Sequence, residues 1–94
     1  MLNDIVEARH IEAYRLFIRF ADGKAGEIDL APLLKFTGIF EPLRDPQYFA
    51  LVRVDRDTGT VVWPNGADLD PDVLRHRLTG EPLPGEEGSV RRAG

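Results

Sequence analysis

Three groups of residues in this chain have the types and spacing to do chemistry. The first is acidic. Asp68, Asp70 and Asp72 alternate within the run Trp63-Pro64-Asn65-Gly66-Ala67-Asp68-Leu69-Asp70-Pro71-Asp72-Val73-Leu74. Alternating carboxylates open a calcium-binding loop, which needs Gly at its sixth position and a bidentate Glu at its twelfth. Those positions here are Val73 and Thr79, so the pattern fails. The second group is Arg15, Phe17 and Arg19, two cations around an aromatic on one face of a strand. Sheets that bind RNA stack bases on aromatics and hold phosphates with arginine. The third is the pair of histidines, His10 and His76, which fall in different elements. The chain has no Cys, and its one Ser is Ser89, so no Ser-His or Cys-His pair is expected. No His or carboxylate spacing fits a metal set. Asp22-Gly23-Lys24 and Gly26 lead into a strand, whereas a phosphate loop leads into a helix. No catalytic, cofactor-binding or metal-binding residue is therefore expected, and the chain reads as a non-enzyme.

The elements around these groups explain most of them structurally. Val61, Val62 and Trp63 are β-formers in a short apolar run, and Pro64 ends it because it cannot donate to a ladder. Asn65-Gly66 suits a sharp reversal. Asp70 can cap a helix that starts at Pro71, where a missing N–H is harmless. Leu69 and Leu74 fall at the staple positions. Trp63, Asn65, Gly66, Asp68 and Asp70 thus form a structural corner, with Trp63 as a core or rim residue; the alternative is a stacking platform for a ligand. The helix is expected to run to about Leu78, closed by Gly80 and Pro82, with Arg75 and Arg77 near its negative end.

Upstream, residues 5–11 alternate loosely and predict an edge strand. Residues 13–21 are the clearest strand, with Tyr14, Leu16, Ile18 and Phe20 on one face and Arg15, Phe17 and Arg19 on the other. Asp22-Gly23 predicts a tight hairpin, returning over 24–28. Asp29-Leu30-Ala31-Pro32 predicts a short helix, with Leu33, Leu34 and Phe36 toward the sheet and Gly38 as its stop. Residues 39–45 read as a connection anchored by Phe40 and Leu43, with one further turn from Asp45-Pro46 through Tyr48. Residues 49–55 and 60–63 make a second hairpin around Asp57-Thr58-Gly59. The order strand-strand-strand-helix-strand-strand-helix predicts an α+β fold: a mostly antiparallel sheet of about five strands, with two short helices packed on one face. One domain over 1–80 and a flexible C-terminal tail over 81–94 are expected.

Composition fits that reading. Of 94 residues, 43% are hydrophobic and 30% charged, which suits one globular domain with a modest core. There is no apolar run long enough for a membrane span, and the start lacks the pattern of a signal peptide. With no cysteine, a cytoplasmic location is expected. The formal charge of −4 gives no general attraction to nucleic acid or anionic lipid.

Three signals in order resemble a known family. They are Tyr14-Arg15-Leu16 through Phe20-Ala21-Asp22-Gly23, then Gly26-Glu27-Ile28-Asp29-Leu30, then Val62-Trp63-Pro64-Asn65-Gly66-Ala67-Asp68-Leu69-Asp70-Pro71. Gly38-Ile39-Phe40-Glu41-Pro42-Leu43 and Phe49 add to the likeness. Over about residues 2–78 the chain resembles the small bacterial family called domain of unknown function 2442. The resemblance implies an α+β fold and carries no established catalytic residue. Some members of that family carry a helix-turn-helix domain afterwards. Others are encoded beside a second small protein, which implies paired, toxin–antitoxin-like systems. Only residues 81–94 follow the domain here, so no DNA-reading part is expected.

The functional expectation is a non-catalytic interaction module, with Arg15, Phe17 and Arg19 as its candidate surface. A protein partner, such as the product of a neighbouring gene, or a second copy joined through a sheet edge, is expected. The alternative is a small nucleic-acid-binding regulator using the same three residues, which the net charge disfavours.

Overall fold

Strand β2 (Arg15–Phe20) divides the molecule into layers. Leu16, Ile18 and Phe20 are buried, while Phe17 is half-buried and Arg19 exposed on the opposite face. β1 (Ile5–Glu12) and β3 (Ala25–Asp29) flank it, both antiparallel, in the order β1-β2-β3. The computed structural model describes residues 3–81, so the tail expected over 81–94 lies outside the described residues, Glu81 excepted. No helix among the described residues is long and apolar enough to cross a membrane.

Two hairpin turns set this sheet. Asp22-Gly23 turns β2 into β3 as expected, with Gly23 N donating to Phe20 O at 2.9 Å and Phe20 N to Lys24 O at 2.8 Å. The turn between β1 and β2 carries no glycine. Ala13 takes φ 47 there, a left-handed conformation that side chains with a Cβ adopt at a cost. This shortens the strand expected over 13–21 to Arg15–Phe20. The β1–β2 register shifts between Ile5 and Glu7 and between His10 and Glu12, so Val6 and Ile11 are bulged residues, both exposed.

The sheet of about five strands is in fact two sheets. β4 (Arg53–Asp55) and β5 (Thr60–Val62) pair with each other and not with β1-β2-β3. The strand expected from residue 49 is cut short because Asp45 caps α1 (Pro46–Phe49), accepting from Gln47 N with Pro46 at the first helical position. That turn draws Phe49 out of the strand and into the core. The small sheet meets the large one at Ile5, whose N–H donates to Gly59 O at 2.8 Å.

The helix expected after Asp29 also differs. Asp29 Oδ1 accepts from Ala31 N, and the N–H groups of Leu33 and Leu34 reach Leu30 O, which closes a single turn. A helix of one or two turns has an unfavourable nucleus, and this turn already buries Leu30 and Leu34. Gly38, expected to stop a helix, instead opens a 3-10 helix over Gly38–Arg44, the stretch read as a connection. Its buried residue is Leu43.

α2 (Pro71–Thr79) forms as its signals require. Asp70 caps it through Asp72 N, and Gly80 ends it at φ 80. It packs on the inner side of β3, where Leu78 covers Gly26. A Cβ at Gly26 would stand 2.7 Å from Leu78 Cδ1, so this glycine permits the close approach of helix to strand. One core joins both sheets and α2, including Ile5, Leu16, Ile18, Phe20, Phe49, Trp63 and Leu74.

Candidate interaction surface

The outer face of the large sheet carries Arg15, Phe17 and Arg19 side by side on β2. Their cross-strand neighbours are Glu12, Arg9 and Glu7 on β1, and Asp29, Glu27 and Ala25 on β3. Arg19 Nε donates to Glu7 Oε1 at 3.0 Å, and Arg9 Nε to Glu7 Oε2 at 3.2 Å. These bonds hold the Glu7 carboxyl below its ordinary pKa, Arg19 contributing most and Arg9 next. Arg15 lies 3.4 Å from Glu12 and 3.5 Å from Glu27. Both neighbouring guanidiniums stack on Phe17, with Arg9 4.5 Å and Arg19 5.5 Å from the ring centroid.

This arrangement is self-satisfied. The arginines that a phosphate would need already face carboxylates, and Phe17 is already stacked by cations. Arg53 sits on β4 in the other sheet, away from this face. The face can present hydrogen-bonding side chains to a partner, but a polyanion would first have to displace Glu7, Glu12 and Glu27.

The sheet has a second feature beside this face. Phe20 N–Lys24 O and Leu30 N–Tyr14 O fix which pairs of the β2–β3 ladder are hydrogen-bonded. By the antiparallel alternation, the main-chain groups of Gly26 and Ile28 point toward β2, and those of Ala25, Glu27 and Asp29 point away from it. β3 is the last strand of its sheet, so among the described residues no strand meets those groups. β1, at the other edge, lies against β4 and β5.

The corner at 63–70 is knitted into the fold. Trp63 is fully buried, and its Nε1–H donates to Phe49 O at 2.8 Å. Asn65 Oδ1 accepts from Ala67 N, while its Nδ2 donates to Ile39 O at 2.8 Å, tying the corner to the 3-10 helix. Gly66 takes φ 91 within that reversal. The Thr60 hydroxyl donates to Leu69 O. The three aspartates serve separate ends. Asp68 is exposed and its backbone bridges Val62, Asp70 caps α2, and Asp72 Oδ1 accepts from Asn3 Nδ2 at 2.7 Å. A shallow cavity of about 220 Å³ near this corner is lined by Leu33, Leu34, Lys35, Thr37, Phe40 and Leu69, with no carboxylate among them. Among the described residues, no group of three or more His, Asp or Glu is placed to hold a metal ion. The histidines stay apart: His10 Nε2 lies 2.9 Å from Ala13 O, and His76 Nδ1 lies 2.6 Å from Glu81 O.

Sequence reasoning missed the most buried charge. Arg75 is only 7% exposed and grips Asp22 of the β2–β3 hairpin with Nη1 at 3.1 Å and Nη2 at 2.6 Å. Its Nε donates to Glu81 Oε1 at 3.0 Å, and its guanidinium lies 5.1 Å from the Phe20 ring centroid. The Arg75 bonds, followed by the Lys24 N–H, pull the Asp22 carboxyl down to about 2, and the carboxylates in turn raise the Arg75 pKa. A signal existed. Positions 71, 74, 75 and 78 form one helical stripe, and Arg75 is the charge among Pro71, Leu74 and Leu78. Its partner could not be read, because Asp22 lies 53 residues away.

No curated protein and no solved structure matches the chain. A family model described as "Protein of unknown function (DUF2442)" covers residues 5–80, and the chain belongs to that family.

Proposed function

We propose that this chain is a non-catalytic protein-interaction module, the partner-binding, antitoxin-like member of a two-protein bacterial system. Its partner docks by adding a strand to β3. The observation that carries this reading is the edge at Ala25, Glu27 and Asp29, whose outward main-chain donors and acceptors meet no strand among the described residues. Strand addition uses such an edge directly, with main-chain bonds giving affinity and alternate side chains giving specificity. The self-neutralised outer face supports the same reading over nucleic-acid binding, because Arg15, Phe17 and Arg19 already have partners within the sheet. The two-protein part follows from what the family resemblance implies about gene neighbours.

The test is co-expression with the small protein encoded beside it. A one-to-one complex by size exclusion with light scattering is expected, as is relief of any growth arrest that the neighbour causes alone. Glu27→Pro removes an outward N–H that no strand meets among the described residues, and proline is tolerated at such edge positions. It should keep the far-UV CD spectrum and lose the complex, while Glu27→Ala keeps the backbone donor and the complex. A complex that survives Glu27→Pro in a folded protein overturns docking at β3.

A further inference from the structure

The side chains of β3 restrict what can dock there, and the following rests on the strand-addition reading above. We infer that the docking strand carries Lys or Arg at two positions two residues apart, with a small apolar residue between them, and that it is not a second copy of this chain. On the outer face, the edge presents Ala25, Glu27 and Asp29, all exposed. Glu27 is 57% exposed at its side chain, and Arg15, 3.5 Å from it, is shared with Glu12 at 3.4 Å. Among the described residues, Asp29 Oδ1 accepts from a main-chain N–H, that of Ala31 at 3.0 Å. An incoming strand therefore meets two carboxylates on that face, two residues apart. On the inner face it meets Gly26 and Ile28 beside Leu78, a small apolar step.

Self-pairing conflicts with the same residues. An antiparallel pair of β3 edges that uses all three outward-facing residues centres on Glu27. It sets Glu27 against Glu27 of the other copy, and Ala25 against Asp29. Like charges directly opposite are destabilising, and acidic edges of this kind are a known defence against self-association.

Two synthetic strand peptides test this against isotope-labelled protein, followed by amide shifts and exchange protection. One carries lysine at two alternating positions with valine between them, and the other carries glutamate at both. The lysine peptide is expected to protect the Ala25, Glu27 and Asp29 amides and to bind about tenfold more tightly than the glutamate peptide. The gap should narrow in high salt and in Glu27→Gln. Equal protection by both peptides leaves docking at β3 standing and overturns the basic assignment. Protection of those amides by a concentration-dependent dimer, without peptide, overturns the exclusion of a second copy. A monomer whose edge amides neither peptide protects overturns the docking reading itself.

Discussion

Replacing Trp63 separates burial from hydrogen bonding in this core. The indole is fully buried, its ring centroid 5.5 Å from that of Phe49, and its N–H is spent on Phe49 O at 2.8 Å. Trp63→Ala removes the largest side chain of the cluster and should cost about 3–5 kcal/mol. A domain of this size holds about 5–15 kcal/mol in total, so that variant sits near the edge of unfolding. Trp63→Phe keeps most of the apolar contact and loses the donor. Phe49 O still accepts from Val52 N at 3.2 Å, so it is not orphaned, and the loss should stay near 1–2 kcal/mol. Urea unfolding followed by far-UV CD measures both. Fluorescence serves only the parent protein, because Trp63 is its sole tryptophan. A loss below about 1 kcal/mol for Trp63→Ala would refute the core assignment, since even modest cavities cost more. Equal losses for the two variants would show that the hydrogen bond, not burial, dominates.

Other outcomes are expected from the same geometry. Because Arg75 depresses the Asp22 pKa to about 2, from 3.8, the pair stabilises the fold fully above pH 3.8, and this contribution fades as pH falls toward 2. Urea midpoints between pH 5 and pH 2 should fall less steeply in Asp22→Asn than in the parent, and identical slopes would remove Asp22 from the acid response. Asp70→Ala should cost about 1 kcal/mol through the lost cap on Asp72 N, read by thermal unfolding. Ala13→Gly should raise stability by about 0.5–1 kcal/mol, because glycine takes φ 47 without strain; a lower melting temperature would contradict the left-handed turn.

Local patterns were readable where one residue type decides the backbone. Alternation in β2, Asp22-Gly23, and the Asp70-Pro71 start with its Gly80 stop all form where the residues place them. Two errors came from competition between neighbours. Phe49 has strand propensity, but Asp45-Pro46 recruits it into a helical turn, and the strand is lost to three residues. Leu30 through Phe36 has helical spacing, but a single turn already buries Leu30 and Leu34, so no helix extends. The turn at Ala13 was unreadable because nothing marks an alanine for positive φ. For the candidate surface, the outward facing of Arg15, Phe17 and Arg19 followed from the period of two. Their neutralisation did not, because Glu7, Glu12 and Glu27 reach them only through strand register. The edge at β3 needed strand order, which no local pattern encodes.

The ties made by α2 have a consequence for the order in which this protein is made. Asp72 holds Asn3, and Arg75 holds Asp22, so the last described helix fastens the first segments of the chain. The β2–β3 hairpin leaves the ribosome long before α2 does. Until residues 71–81 have emerged, β3 lacks α2 against it, and Asp22 lacks Arg75. During synthesis the β2–β3 hairpin therefore carries uncovered apolar surface until α2 has emerged and packed against it.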